Sequence, residues 1–455
     1  MPDCTGGGRT DQAKTEAQKS PREVIAQAAA LYRAGQRREA LAQLHGIVAA
    51  PSAPAEALAI AAKIATDLGD LDEALHYYRM AAEATPGLAE LHYNVGLILA
   101  RLGRNDEAVA AYRRATGLRP DLLPAQNNLA VVLQAMGRWE DAVEAYRRAL
   151  ALAPGAELYR NLGIALAAAG RRDDAVSLYR QAIALRPDWP APYQSLANTL
   201  LELGDAQGTV EACAAWLALR PGLPEPIGLM AVALDELGRR EAARRLVDLD
   251  RFLRVTRIEA PPPGYGSLAA FHAALVWETL AHPTLRTPDE REPHYNGPAF
   301  KTTRELFGQS SGPFAALEAM FVERLADYLA VEGRADPAHP FLARPMPHLR
   351  PSAVATVLTR QGNLAPHMHY AGYVSGVYYC QLPLVVTAAD GGQEGWFEIG
   401  RPPPRLLRRG APEIRTIRPE EGMMLLFPSY FFHGTLPFAA EATRISIAFD
   451  TIPAP

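Results

Sequence analysis

A glycine returns at Gly35, Gly69, Gly103, Gly137, Gly170, Gly204 and Gly238, at spacings of 34, 34, 34, 33, 34 and 34 residues, and no other feature restricts the fold as tightly. Five residues after each stands Ala40, Ala74, Ala108, Ala142, Ala175, Thr209 or Ala243, and prolines fall at Pro86, Pro120, Pro154, Pro187 and Pro221. Self-similarity at such a period marks stacked supersecondary units. Glycine accepts the positive φ at which a helix stops. The small residue lets a second helix approach its neighbour, and proline ends that helix because it cannot continue one. Seven helical hairpins are therefore expected over residues 21–258. None can bury its apolar face alone, so Val95, Leu99, Tyr112 and Ala115 should be covered by adjacent hairpins. Tyr78, Tyr112, Tyr146 and Tyr179 read as core residues of the stack.

This is the pattern of tetratricopeptide repeats. Packing does not account for Asn94, Asn128 and Asn161, which stand nine residues before the glycine in three consecutive repeats. They are expected on the concave surface. An amide offers one acceptor and two donors, which suits recognition of peptide backbone. The surrounding text resembles the tetratricopeptide region of O-linked N-acetylglucosamine transferases, and that resemblance implies an asparagine ladder gripping extended polypeptide. Other repeats carry Ile60, Ser195 and Leu229 at this position, so the ladder is short.

The chain has 455 residues, which suggests two or three domains, and a formal net charge of −4. No Lys/Arg block resembles a nucleic-acid footprint, so nucleic acid is not an expected partner. Cys4, Cys213 and Cys380 lie far apart without a pairing pattern, which points to a reducing compartment. There is no run of about 18 apolar residues, hence no expected membrane span. Residues 1–20 are polar and read as a disordered tail of a cytoplasmic protein. Residues 259–266, with Pro261, Pro262 and Pro263, read as a stiff linker.

Beyond the linker, residues 267–350 read as a helical entry, with Phe314, Leu317, Phe321, Leu325 and Tyr328 apolar at helical spacing. Residues 351–452 read as short strands between Gly/Pro turns. His272, His282, His294, His339 and His348 share no spacing and read as structural or exposed. His367 and His369 differ. In an extended strand residues two apart share a face, so these two imidazoles can aim at one point. His433 follows an apolar run ending in Phe427 and Pro428, and Arg444 and Ser446 come next, again two apart. One of Tyr378 and Tyr379 should point inward.

His-x-His, a distal His, and Arg with Ser two residues on resemble the Fe(II)- and 2-oxoglutarate-dependent oxygenases. The flanking text, Pro366-His367-Met368-His369, Ser375-Gly376-Val377-Tyr378-Tyr379 and Arg444-Ile445-Ser446-Ile447, is similar to a bacterial branch of that family over roughly residues 270–452. The resemblance implies an α+β multidomain protein: an all-α tetratricopeptide solenoid, then a double-stranded β-helix (jelly-roll) domain at 267–455 with flanking helices. It implies iron ligation by His367, His369 and His433, cosubstrate binding by Arg444 and Ser446 with Tyr378 or Tyr379 assisting, and use of O2. Imidazole suits iron, and a planar guanidinium suits the distal carboxylate of 2-oxoglutarate. The family's usual third ligand is a carboxylate where this chain has His369. Two alternatives stay open: an adaptor whose oxygenase domain no longer turns over, and an oxygenase of a small anionic or sugar-containing metabolite held by Arg401, Arg405, Arg408 and Arg409. The leading expectation is a hydroxylase of a protein or peptide captured by the repeats.

Overall fold

A computed structural model describes residues 20–453, except 290, 291, 293, 303–305, 335, 344–347, 371, 388–391, 407, 408 and 440. Residues 1–19 of the expected tail, and with them Cys4, lie outside the described residues, as does Arg408. The chain divides into two compact units, one ending at Arg171 and one beginning at Arg172.

The first unit is helical: Pro21–Arg33, Arg37–Val48, Ala55–Leu68, Leu71–Ala84, Ala89–Arg101, Asn105–Leu118, Leu123–Ala135, Trp139–Leu152 and Ala156–Ala168. Its repeat glycines Gly35, Gly69, Gly103, Gly137 and Gly170 have φ of 82, 88, 73, 71 and 84°, the left-handed conformation for which glycine is suited. Ser20 starts the first helix with a capping box closed by Glu23. The repeat tyrosines are buried, as expected of core residues. Gly96 shows how close the hairpin partners come: a Cβ there would stand 2.7 Å from the ring of Tyr112.

The second unit opens with helices Arg172–Leu185, Pro190–Leu203, Ala206–Leu219, Pro224–Glu236 and Arg240–Leu246. Eleven strands follow among the described residues: β1 (Arg254–Arg257), β2 (Tyr295–Asn296), β3 (Ala299–Lys301), β4 (Leu349–Leu358), β5 (Asn363–His367), β6 (Val374–Gln381), β7 (Phe397–Ile399), β8 (Arg415–Ile417), β9 (Met423–Pro428), β10 (His433–Thr435) and β11 (Arg444–Pro453). They form two antiparallel sheets, a six-stranded one in the order β1-β9-β6-β11-β4-β3 and a five-stranded one in the order β2-β5-β10-β7-β8. From β4 onward the chain passes back and forth between the sheets, except that β7 and β8 are neighbours in the five-stranded one, a winding of the double-stranded β-helix kind.

Strand β11 shows how sequence alternation sets the layers. Ile445, Ile447 and Phe449 face outward into a core shared with Phe314, Leu317, Phe321 and Leu325 of helix Pro313–Val331. Arg444, Ser446, Ala448 and Asp450 face the other way and line a cavity between the sheets.

The expected linker does not separate the array from the sheets. The residues just before it form β1, which pairs with β9 over Arg254↔Leu426 to Arg257↔Met423. Ile258 donates its backbone N–H to Gly422 O at 2.9 Å. The Tyr430 hydroxyl donates to Leu246 O at 2.8 Å, and the Tyr328 hydroxyl to Phe252 O at 2.9 Å. Three prolines stiffen a chain, but they say nothing about what flanks it. The last array helices share one compact unit with the sheets.

Candidate active site

The three histidines come from two pieces of backbone. His367 ends β5 and His433 begins β10, and the two are register partners across the five-stranded sheet. His369 lies past the end of β5, fixed by its backbone N–H to Ser429 O at 3.0 Å. The expected single extended strand through both histidines thus stops one residue short of Met368, yet the faces hold: Met368 is buried against helix Pro224–Glu236, where a Cβ on Gly228 would stand 2.8 Å from its Sδ. One ligand-type nitrogen from each of the three histidines falls within 4.8 Å of the others.

Hydrogen bonds select the nitrogen each ring presents. His367 Nδ1 is bonded to Ala365 O at 2.9 Å and His433 Nδ1 to Phe431 O at 3.0 Å. His369 Nδ1 is bonded to Asp450 Oδ1 at 2.7 Å. A carbonyl or carboxylate can only accept, so each Nδ1 carries the proton and each Nε2 lone pair is left for a metal. Burial holds His367 well below the usual imidazole range and His433 at about 3, so both rings are neutral. Burial pushes His369 down as well, but the charge and hydrogen bond of Asp450 outweigh it and the net shift is upward. Asp450 accepts in turn from the Ser375 hydroxyl, whose oxygen lies 2.8 Å from Ser429 Oγ.

Arg444 stands in the same cavity, whose volume is about 190 Å³. It is 1 % exposed, and burial lowers its pKa. Its Nη1 donates to Ser446 Oγ at 3.4 Å, and the guanidinium lies 5.0 Å from the centre of the Tyr379 ring. Among the described residues no carboxylate pairs with it. Arg444 Nε and the Tyr379 hydroxyl are buried and make no hydrogen bond of good geometry, although guanidinium and hydroxyl lie close enough to interact with each other. Buried donors without a well-placed acceptor are costly, so two converging on one cavity mark a place for an anion. Tyr379 is therefore the inward member of the tyrosine pair. Tyr378 points to the opposite face, 2.7 Å from His272 Nε2, and the expectation that it assists at the site is corrected accordingly.

Three further residues belong to the site. His294 stacks on His367 with centroids 4.3 Å apart, and burial pushes its pKa down to about 4. It had no spacing in the sequence to set it apart from the other isolated histidines. Tyr295 lines the cavity with its hydroxyl 3.3 Å from Thr356 Oγ1. Asp450 was visible only as two residues past Ala448 on the alternation that begins at Arg444.

An outer cleft of about 830 Å³ shares His367, His369 and Asp450 with the inner cavity. Asn198 of helix Pro190–Leu203 and Leu229 of helix Pro224–Glu236 also line it, with Pro403, Pro404 and Arg405. In the 401–409 loop Arg401 is held by Glu398 at 2.7 and 3.0 Å, and the backbone of Arg409 donates to Glu236. Of the loop's described arginines, Arg405 is the one that lines the cleft. In the first unit Asn94, Asn128 and Asn161 are half-buried, and Asn128 Nδ2 donates to the Tyr93 hydroxyl at 3.3 Å.

Three clustered imidazoles with fixed tautomers stand beside a buried guanidinium that no carboxylate pairs among the described residues, a set that could hold a metal ion. Residues 353–450 match the family described as "Putative 2OG-Fe(II) oxygenase". Residues 25–89 and 121–188 match "Tetratricopeptide repeat" and residues 96–137 match "TPR repeat". No curated protein matches the chain. Similar solved structures include YrrB, "a TPR protein with an unusual peptide-binding site", at 19 % identity over 38 % of this chain and 91 % of that one, TM-score 0.35. MamA from Desulfovibrio magneticus RS-1 is 23 % identical over 36 % of this chain and 94 % of that one, TM-score 0.35. No helix among the described residues is long and apolar enough to cross a membrane.

Proposed function

We propose that the protein is an Fe(II)- and 2-oxoglutarate-dependent dioxygenase that hydroxylates a protein or peptide substrate recruited by its tetratricopeptide repeats. The observation that carries this reading is Arg444, a fully buried cation without a carboxylate partner, sharing one cavity with three metal-competent imidazoles. His367, His369 and His433 would hold the metal through Nε2. Bound Fe(II) with 2-oxoglutarate and O2 would supply the oxidant that hydroxylates a C–H bond, one oxygen atom going to the substrate and the other to succinate as the oxo acid loses CO2.

The chain's own residues do the rest. Arg444 and Ser446 hold the distal carboxylate of the cosubstrate, and the Tyr379 hydroxyl donates to it, giving both buried donors a well-placed acceptor. Asp450 restores behind His369 the negative charge that a carboxylate ligand would have supplied directly. His294 covers one face of His367 and restricts its rotation. The outer cleft admits substrate on the side of the histidines, and its wall of repeat helices favours a polypeptide over a free metabolite.

Two measurements test this. Anaerobic addition of Fe(II) and 2-oxoglutarate to the purified protein should produce the visible metal-to-ligand charge-transfer band, and exposure to O2 should then release succinate. Arg444→Ala should raise the 2-oxoglutarate requirement by about two to three orders of magnitude, since removing one partner of a desolvated charge pair costs roughly 3–5 kcal/mol. Iron affinity without cosubstrate should hardly move. A missing band with iron demonstrably bound would remove the oxygenase reading and leave an adaptor.

A further inference from the structure

A second cavity, of about 310 Å³, lies on the other side of Phe432 from the outer cleft, and the candidate reaction does not use it. Its walls are mostly apolar: Ala231 and Val232 on helix Pro224–Glu236, Ala243 and Val247 just beyond it, and Pro402 and Pro412 from the barrel loops. Its size falls at the lower end of the roughly 300–1,000 Å³ typical of small-molecule sites.

Four charged residues interrupt the apolar lining, Asp235, Arg240, Arg244 and Glu413, and among them Asp235 has a buried atom without a partner. Asp235 is 7 % exposed, faces this cavity, and its Oδ2 is buried without a hydrogen-bond partner. A carboxylate oxygen can only accept unless it is protonated, so what it lacks is a donor. The nearby cations do not supply one. Arg244 is engaged with Glu413 at 2.9 Å at the mouth, and Arg240 lines the cavity without an ion pair to Asp235. Burial raises the Asp235 pKa, and the charge of Arg240 and the backbone N–H of Ala411 offset this only in part, leaving Oδ2 without a partner. An acid kept in an apolar pocket with an open acceptor is matched by one kind of molecule, an apolar body carrying a charged N–H donor.

We propose that this cavity is a binding site for a small apolar organic cation, an alkyl- or arylammonium or amidinium, with Asp235 as its counter-ion. Occupancy would be felt at Phe432, which lines both this cavity and the outer cleft, precedes His433, and accepts the Gly400 N–H at 2.8 Å. The site is independent of whether the oxygenase reading holds.

The test uses the full-length protein and two matched pairs, cyclohexylamine against cyclohexanol and benzamidine against benzamide, in calorimetry and thermal unfolding near neutral pH. At least one cation should bind ten-fold or more tightly than its neutral partner and raise the unfolding midpoint. Asp235→Asn, nearly the same shape, should abolish that preference. Arg240→Ala, which removes the competing internal cation, should leave affinity unchanged or increase it, the opposite of what general damage would do. Equal binding of the neutral partners to the unmodified protein, absence of binding by both cations at millimolar concentration, or an undiminished preference in Asp235→Asn would each overturn the proposal.

Discussion

Asp450 alters the meaning of His369. A third neutral ligand leaves a metal centre one unit more positive than a His₂-carboxylate set, which would weaken electron donation to iron. Here the carboxylate sits one bond further out, at 2.7 Å from His369 Nδ1, where it polarises the imidazole and orients it. Asp450→Asn keeps the shape and removes the charge. It should lower affinity for Fe(II), or for Mn(II) as an air-stable surrogate, by about 10–100-fold, the usual cost of losing a partner behind a metal ligand. Calorimetric metal titration beside circular dichroism checks it, and unchanged affinity would show that His369 is not a ligand. The residue scale is also where sequence reading reached furthest and stopped. His367, His433, Arg444 and Ser446 could be picked out because each has local text around it. Asp450 could have been reached by extending the alternation from Arg444, since strand period fixes its face. His294 could not, because its closeness to His367 depends on β2 pairing with β5, a contact between short segments with no pattern of their own.

At the scale of elements, side-chain alternation and backbone approach do different work. The strands β4, β6, β9 and β11 were legible from their apolar pattern and the short β7 and β8 from the turn residues around them, while β1, β2, β3 and β10 have two to four residues and carry no such signal. Helix Pro224–Glu236 illustrates what pattern cannot reveal. It reads as an ordinary repeat helix, yet almost its whole circumference is buried, from Pro224 to Leu229 and from Ala231 to Asp235. Gly228 is the contact point: a Cβ there would lie 2.8 Å from Met368 Sδ and 2.9 Å from the carbonyl oxygen of Tyr430. Helix propensity alone says that Gly→Ala gains roughly 0.8–1.0 kcal/mol. Gly228→Ala should go the other way, with a net loss of about 1–3 kcal/mol from overpacking against backbone that cannot yield. Gly46→Ala is the control, since a Cβ there meets nothing within 4 Å. Denaturant midpoints for both variants check it, and a stabilised Gly228→Ala would mean the helix stands off from the sheets.

For the whole molecule, the repeat period made the helical array legible, and the His, Arg and Ser text made legible the stretch that matches the oxygenase family. What neither conveyed was how the array ends. The asparagines belong to the first unit and the cleft-lining Asn198 and Leu229 to the second, so the proposed capture and the proposed chemistry would draw on separate residues. Changing Asn94, Asn128 and Asn161 together to Ala should therefore weaken binding of a protein partner while leaving 2-oxoglutarate turnover without substrate untouched. The fold should lose little more than the Asn128 to Tyr93 hydrogen bond, about 0.5–1.5 kcal/mol. Pull-downs with both forms, read against uncoupled succinate release, separate the two roles, and identical partner sets would remove the ladder.

The same division predicts where the chain can be cut. A boundary at the three prolines would give a catalytic fragment of residues 259–455. That fragment lacks β1, so it exposes the edge of β9 along four register pairs, and an unpaired edge invites association with other chains. It also strips the acceptors of the buried Tyr430 and Tyr328 hydroxyls, Leu246 O and Phe252 O, leaving two buried donors unsatisfied at a cost of about 1–3 kcal/mol each. Removal of helix Pro224–Glu236 uncovers Met368, the residue between His367 and His369. A fragment of residues 172–455 keeps all of these contacts. It should melt cooperatively and retain metal and 2-oxoglutarate binding, whereas residues 259–455 should aggregate or bind metal at least ten-fold more weakly. Thermal unfolding and metal titration of the two fragments side by side decide it. If the shorter fragment matches the longer in both, the last repeat helices are an attachment to the oxygenase fold and not a structural part of it.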